Sequence, residues 1–187
     1  TLAASDRTTG YRVVHGENDG FPGLVVDRYA ATFVVKAYSA AWLPHIGAVT
    51  DAIRALAGPE RVVLRLSRAA RAAAPTFDGV ALAGRLPDGP VLFREEGLTF
   101  EADVVRGHKT GFFLDQRDNR RALADFCGGK RVLDLCCNTG GCEVDVHAPG
   151  GAEEGGGREH RDAGVGRVQG ERESGGVNAS TTHYYIT

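Results

Sequence analysis

The spacing of apolar positions changes several times along the chain, and each change marks an element. Tyr11-Arg12-Val13-Val14, Leu24-Val25-Val26-Asp27 and Thr32-Phe33-Val34-Val35-Lys36-Ala37-Tyr38 are short runs rich in β-branched and aromatic residues. They predict three strands. Between the first two, residues 17–23 (Glu-Asn-Asp-Gly-Phe-Pro-Gly) are dense in turn formers, so a plain turn is expected there rather than a binding loop. The period then lengthens. Ile46, Val49, Ile53 and Leu56 recur at helical spacing and predict a helix over residues 42–56. Pro44 suits its first turn, His45 is expected to be exposed or capping, and Gly58-Pro59 stops it. Residues 62–66 read as a fourth strand. Residues 72–90 have no clear period and read as loop. Residues 91–94 and 98–105 flank Glu95-Glu96-Gly97 and predict a hairpin.

The stretch from Gly107 to Gly141 organises the rest. It reads GHKTGFFLDQRDNRRALADFCGGKRVLDLCCNTGG. Asp115 is placed to cap a helix, with Asp118 near the positive end of the helix dipole. Leu114, Leu123 and Phe126 supply the apolar residues of that segment, Ala122 and Ala124 favour helix, and Gly128-Gly129 end it. Residues 132–137 follow as a nearly continuous apolar strand of the kind buried in parallel sheets. Asn138-Thr139-Gly140-Gly141 comes at its carboxyl end, where open α/β sheets bind ligands. Glycines there let the backbone approach a ligand closely, and Asp134 can accept hydrogen bonds from an ammonium or hydroxyl group. No full G-x-G-x-x-G and no P-loop is present, so spacing alone leaves an ordinary strand and tight turn as an equal alternative.

GHKTGFFLDQRDNR followed by VLDLCCNTGG resembles the bacterial family of large-subunit (23S) ribosomal RNA methyltransferases that form 5-methylcytosine, class I S-adenosylmethionine (SAM) enzymes. The related guanine methyltransferases would show Leu-Asp-His-Arg in place of Leu114-Asp115-Gln116-Arg117. The resemblance covers about residues 11–141. It implies an α/β chain in which a middle α+β domain (1–105) handles the RNA substrate. The start of a Rossmann-like SAM-binding methyltransferase domain (106–141) follows it. It also implies SAM as cofactor, with Lys109, Thr110, Asp115, Gln116, Arg117 and Arg120 matching the motif against the cofactor pocket. Asp134, Asn138, Gly140 and Gly141 match the cofactor-binding strand and turn. Ribosomal RNA is the implied partner, with a homodimer as the possible assembly.

Composition adjusts this picture. An apolar content of 42% is enough for a core, and the net charge of −2 gives no global attraction to RNA. The charge is uneven: residues 1–140 hold 18 Lys and Arg against 16 Asp and Glu, and residues 141–187 hold 4 against 8. Arg61, Arg65, Arg68 and Arg71 form a basic run that reads equally as a phosphate contact with RNA and as a solvated surface, because no aromatic residues interleave it. The chain shows no signal peptide and no 18-residue apolar run, so a cytoplasmic protein without a membrane anchor is expected. Cys127, Cys136, Cys137 and Cys142 lack paired C-x-x-C spacing and a His at partner distance, which favours reduced cysteines over a metal site. None matches the position of the family's nucleophilic Cys.

From residue 142 the pattern changes. Residues 141–187 hold 11 of the 26 glycines, few apolar residues and no apolar strand before Asp162, where the ribose-binding acid is due. Residues 142–187 are therefore expected to be a disordered or non-native tail, as from a frameshifted translation, with no sheet pairing over 150–180. With Thr1 at its start and no Met, the sequence reads as a fragment. Two function classes follow: a fragment of a SAM-dependent cytosine-C5 RNA methyltransferase, inactive alone because nucleophile and substrate loop are missing, or a non-catalytic RNA-binding or structural remnant.

Overall fold

The computed structural model describes residues 6–127, 132–135 and 183–186; side chains are described through residue 123. A five-stranded sheet dominates. Its strands are β1 (Gly10–His15), β2 (Leu24–Tyr29), β3 (Thr32–Ala37), β4 (Arg61–Leu66) and β5 (Val80–Ala83), side by side in chain order. β3 and β4 are parallel, joined by helix α1 (Ile46–Ala57); the other neighbours are antiparallel. The turn between β1 and β2 is held by its own acids, His15 N donating to Asp19 Oδ2 at 2.7 Å and Gly23 N to Glu17 Oε1 at 3.1 Å. That is the plain turn its composition predicts.

Strand alternation gives the sheet two faces with separate cores. Leu24, Val26, Phe33, Val35, Ala37, Val62, Leu64 and Leu66 point to the first, where Ile46, Val49 and Ile53 of α1 and Trp42 pack. Leu56 was expected on that apolar face but is 88% exposed in the last turn. The predicted helix also begins differently. Residues Ala40–His45, including Pro44, form a 3-10 turn capped by Ser39, and the α-helix starts at Ile46. Gly58 closes it in the left-handed conformation, φ 54°, its N–H bonded to Arg54 O.

The second face carries three cross-strand rows: Tyr29, Thr32 and Arg61; Arg12, Asp27, Val34 and Val63; and His15, Val25, Lys36 and Arg65. A hairpin of β6 (Val91–Glu95) and β7 (Leu98–Ala102) covers the first part of this face, adding Phe93, Phe100 and Val104 to Tyr29, Val34 and Val63. Gly10 is required here: a Cβ on it would lie 2.1 Å from the Phe93 ring.

The expected loop over 72–90 is replaced by structure. Ser67 caps helix α2 (Arg68–Ala73), its Oγ accepting from Ala70 N, and β5 pairs with β4 as the sheet's edge. Alanine-rich Val80–Ala83 is half-buried throughout, so it shows no alternation for a periodicity argument to detect. Helix α3 (Arg117–Cys127) follows a 3-10 turn over Leu114–Gln116. β8 (Val132–Leu135) falls where a parallel strand was expected, but its described partner is β9 (His183–Ile186), and the pairing is antiparallel. Residues 128–131 and 136–182, with Asn138, Gly140, Gly141, the 150–180 span and three of the four cysteines, lie outside the described residues.

Candidate cofactor-facing segment

The 107–120 motif leaves β7 through a tight turn. Asp103 Oδ1 accepts from Val105 N at 3.1 Å and Arg106 N at 2.8 Å, and Asp103 O accepts from Gly107 N at 2.9 Å. The chain then folds back so closely that a Cβ on Gly111, where φ is +128°, would meet Asp103 O at 3.0 Å. Lys109 adopts φ 52°, a left-handed conformation costly for a residue with a side chain.

Buried polar contacts hold this backbone. Thr110, fully buried, donates from Oγ1 to Asp27 Oδ2 at 2.6 Å; Tyr29 Oη lies 2.9 Å from the same Oγ1 and accepts from Phe112 N at 3.2 Å. With the Thr110 proton committed to the carboxylate, Tyr29 donates to Thr110, and one directional chain runs from Phe112 N to Asp27. Burial first, then the charge of Asp27, pushes the Tyr29 phenol far up, so it stays a donor. Arg12 closes the network, donating to both Asp27 oxygens at 2.7 and 3.1 Å; that bond is the main reason its guanidinium is raised still further. Lys36 Nζ donates to Lys109 O at 2.7 Å, and Arg65 to Val104 O at 3.1 Å and Gly107 O at 3.0 Å.

Glu95, at the end of β6, makes a second anchor. Arg120 donates from Nε to Glu95 Oε1 at 3.0 Å and also reaches it through Nη2, while Arg117 Nε lies 3.2 Å from Oε2. Arg117 also donates to Gly10 O at 2.5 Å, and Arg120 to Phe113 O at 2.9 Å. The Arg120 guanidinium stacks 4.7 Å from the Phe112 ring centroid.

The matched residues therefore divide. Thr110, Arg117 and Arg120 engage groups of the protein itself and fix the segment. Lys109, Asp115 and Gln116 lie at its outer side, Asp115 and Gln116 exposed and Lys109 partly so. Lys109 Nζ pairs with Asp115 Oδ2 at 3.0 Å and lies 4.5 Å from the Phe113 ring centroid. Asp115 does not cap α3 as expected; its carboxylate is committed to Lys109, and the helix begins two residues later. Partial burial pushes this carboxyl up, but the Lys109 hydrogen bond and charge outweigh it, leaving it below the ordinary value. Asp134 lies in β8, opposite Tyr184. The arginine run is mostly internal ion pairing: Arg65 is buried beside Asp78 at 3.6 Å, Arg71 reaches the same carboxylate at 3.2 Å, and Arg61 pairs with Glu60. Asp27, Tyr29 and Glu95 escaped the sequence reading. An acid inside the apolar run of β2 was the available signal, since a buried carboxylate demands partners.

Comparison with known proteins gives the class first. A family model described as S-adenosylmethionine-dependent methyltransferase matches residues 81–172. The match runs past Gly141, where the motif resemblance stops. Among curated relatives, the chain is 51% identical over 156 residues to a ribosomal RNA large subunit methyltransferase of Deinococcus radiodurans, covering 82% of this chain and 38% of that protein. It is 41% identical over 143 residues to ribosomal RNA large subunit methyltransferase I of Photobacterium profundum, covering 75% and 36%. The chain thus spans little more than a third of the length of these relatives. Among solved structures, SMU.776, a proposed methyltransferase complexed with SAH, superposes with a TM-score of 0.65 at 24% identity over 76% of this chain and 36% of that one, a likeness of fold. Among the described residues, no helix is long and apolar enough to cross a membrane.

Proposed function

We propose that this chain is a portion of a SAM-dependent methyltransferase acting on large-subunit ribosomal RNA in the cytoplasm, at C5 of a cytosine. The observation that carries the reading is the division within residues 107–120. A backbone clamped by Asp27, Tyr29 and Glu95 presents an exposed Lys109–Asp115 ion pair on its outer side. The methionyl end of SAM carries one ammonium and one carboxylate, and this pair offers each an opposite charge. SAM would supply the electrophilic methyl group. Lys109, Asp115 and Gln116 would bind and orient it, with Asp134, Asn138, Gly140 and Gly141 completing the site, and Thr110, Arg117 and Arg120 would position the segment. Cytosine-C5 chemistry needs a Cys thiolate to attack the ring before methyl transfer, and none of Cys127, Cys136, Cys137 and Cys142 matches that position.

Incubation with labelled SAM and undermethylated large-subunit ribosomal RNA tests the reading. The 187-residue chain is expected to transfer no label, and a protein of the relatives' full length that contains it is expected to transfer label to a single cytosine. Misplacing reacting groups by about 1 Å already costs on the order of a hundredfold, so an incomplete pocket leaves no measurable rate. Transfer by the 187-residue chain, or none by the full-length protein, would count against it.

A further inference from the structure

Among the described residues, the second face of the sheet is only partly covered. Its first two rows lie beneath the β6–β7 hairpin and the 107–114 segment, and Tyr29, Asp27, Val34 and Val63 there are fully buried. The third row departs from this pattern at one end: His15 is exposed and Val25 and Lys36 are half-buried, whereas Arg65 is buried beneath the 104–107 backbone. One step beyond, Tyr38 stands on the same face as Lys36, 46% exposed, its ring centroid 5.6 Å from Lys36 Nζ. The uncovered strip borders the candidate cofactor segment, because Lys36 Nζ donates to Lys109 O.

The charges of the strip are unbalanced. Arg12 and Lys109 have carboxylate partners in Asp27 and Asp115. Lys36 has none within salt-bridge distance among the described residues. Its contact is a backbone carbonyl, and Arg65 is its neighbour in the row. Burial, and next the charge of Arg65, push the Lys36 ammonium down. An anion arriving at this point would relieve that cost. A flat sheet face with an exposed aromatic ring and an uncompensated cation beside it matches what an unpaired nucleotide requires: a π-surface for the base and positive charge for the phosphate. A duplex presents stacked bases and cannot use the ring in this way.

We propose that the open strip of the sheet formed by Tyr38, Lys36 and Val25 is a docking surface for single-stranded RNA, with one base stacked on Tyr38 and its phosphate on Lys36, leading the strand towards Lys109. The inference rests on the RNA methyltransferase reading and adds the path of the substrate to it.

Fluorescence anisotropy with a fluorescein-labelled twelve-nucleotide single-stranded RNA tests this on the 187-residue chain without SAM. The chain binds the RNA, and affinity falls as salt rises. Tyr38→Ala weakens binding about fivefold or more, as loss of one base–aromatic stack requires, whereas Tyr38→Phe stays within about twofold. Lys36→Gln lowers both affinity and salt dependence. Arg54→Ala, on helix α1 across the sheet, changes neither. A 4-thiouridine-substituted RNA crosslinks to the peptide containing Tyr38. Absence of RNA binding by the parent chain, unchanged affinity in Tyr38→Ala, equal loss in Arg54→Ala, equal affinity for duplex RNA, or crosslinks confined to other peptides would each overturn the proposal. Methyl transfer by the full-length protein is read separately, so RNA docking and methyltransferase activity can fail independently.

Discussion

At the residue scale, Asp27 and Asp115 show how two carboxylates in one chain take different work from their surroundings. Asp27 is fully buried and has Arg12 and Thr110 as partners, so its charge is satisfied inside the protein. Thr110→Val removes one of these donors and leaves Tyr29 only the longer bond to Phe112 O, at 3.4 Å. It is expected to lower unfolding stability by about 1–3 kcal/mol, read as a shift in denaturant midpoint. An unchanged midpoint would mean the network is not formed in solution. Asp115 is partly exposed and titrates. Its folded pKa lies below the unfolded value, so its contribution is present above the unfolded pKa of about 4 and is lost as pH falls through the folded value. Lys109→Gln removes the largest lowering cause and leaves the burial that opposes it. Carboxyl NMR is therefore expected to show the Asp115 midpoint moving up in Lys109→Gln; a midpoint that stays put would show that the Lys109–Asp115 pair does not persist.

At the scale of elements, the motif is docked by strands that lie far from it in sequence. Glu95 closes β6 and faces Arg117 and Arg120 of α3, so the hairpin and the helix are joined through one buried carboxylate. Glu95→Ala removes the only carboxylate that two guanidinium groups share among the described residues and is expected to cost about 3–5 kcal/mol, with Glu95→Gln milder because it keeps one acceptor. Thermal unfolding of the pair of variants checks the order; equal, small shifts would refute it. Much of this level was legible beforehand. β1 to β4, α1 and the hairpin follow from β-branched runs and a 3.6-residue spacing, because each buries one defined face. β5 was not legible, since Val-Ala-Leu-Ala at a half-buried edge has neither alternation nor an apolar run. The cap role given to Asp115 failed because Lys109, six residues earlier in the same segment, holds its carboxylate instead of the helix backbone. The internal role of Arg65 was not legible, because Val104 O and Gly107 O are distant in sequence and no spacing rule reveals them. The motif supplied the candidate segment; the division between its anchoring and outward-facing residues required the fold.

At the scale of the molecule, one sheet supports two cores. β2, β3 and β4 send alternate residues to each side, so Val35 and Leu64 sit in the first core and their chain neighbours Val34 and Val63 in the second. The 107–120 segment belongs to the second core through Phe112 and Leu114. Neither core can come apart without distorting strands that the other needs, which predicts a single cooperative unfolding transition for the sheet, hairpin and motif together. The chain's one tryptophan makes this measurable. Trp42 packs on the first side, across the sheet from Phe112. Phe112→Ala opens a cavity among Tyr29, Phe93 and Phe100 and is expected to cost about 3–5 kcal/mol. If the cores are coupled, the Trp42 fluorescence transition in urea moves to lower denaturant with Phe112→Ala, although Trp42 touches nothing that was changed. The far-UV circular dichroism transition then moves with it by the same amount. A Trp42 transition that stays in place while the dichroism signal splits into two would show instead that the motif and hairpin unfold as a separate unit.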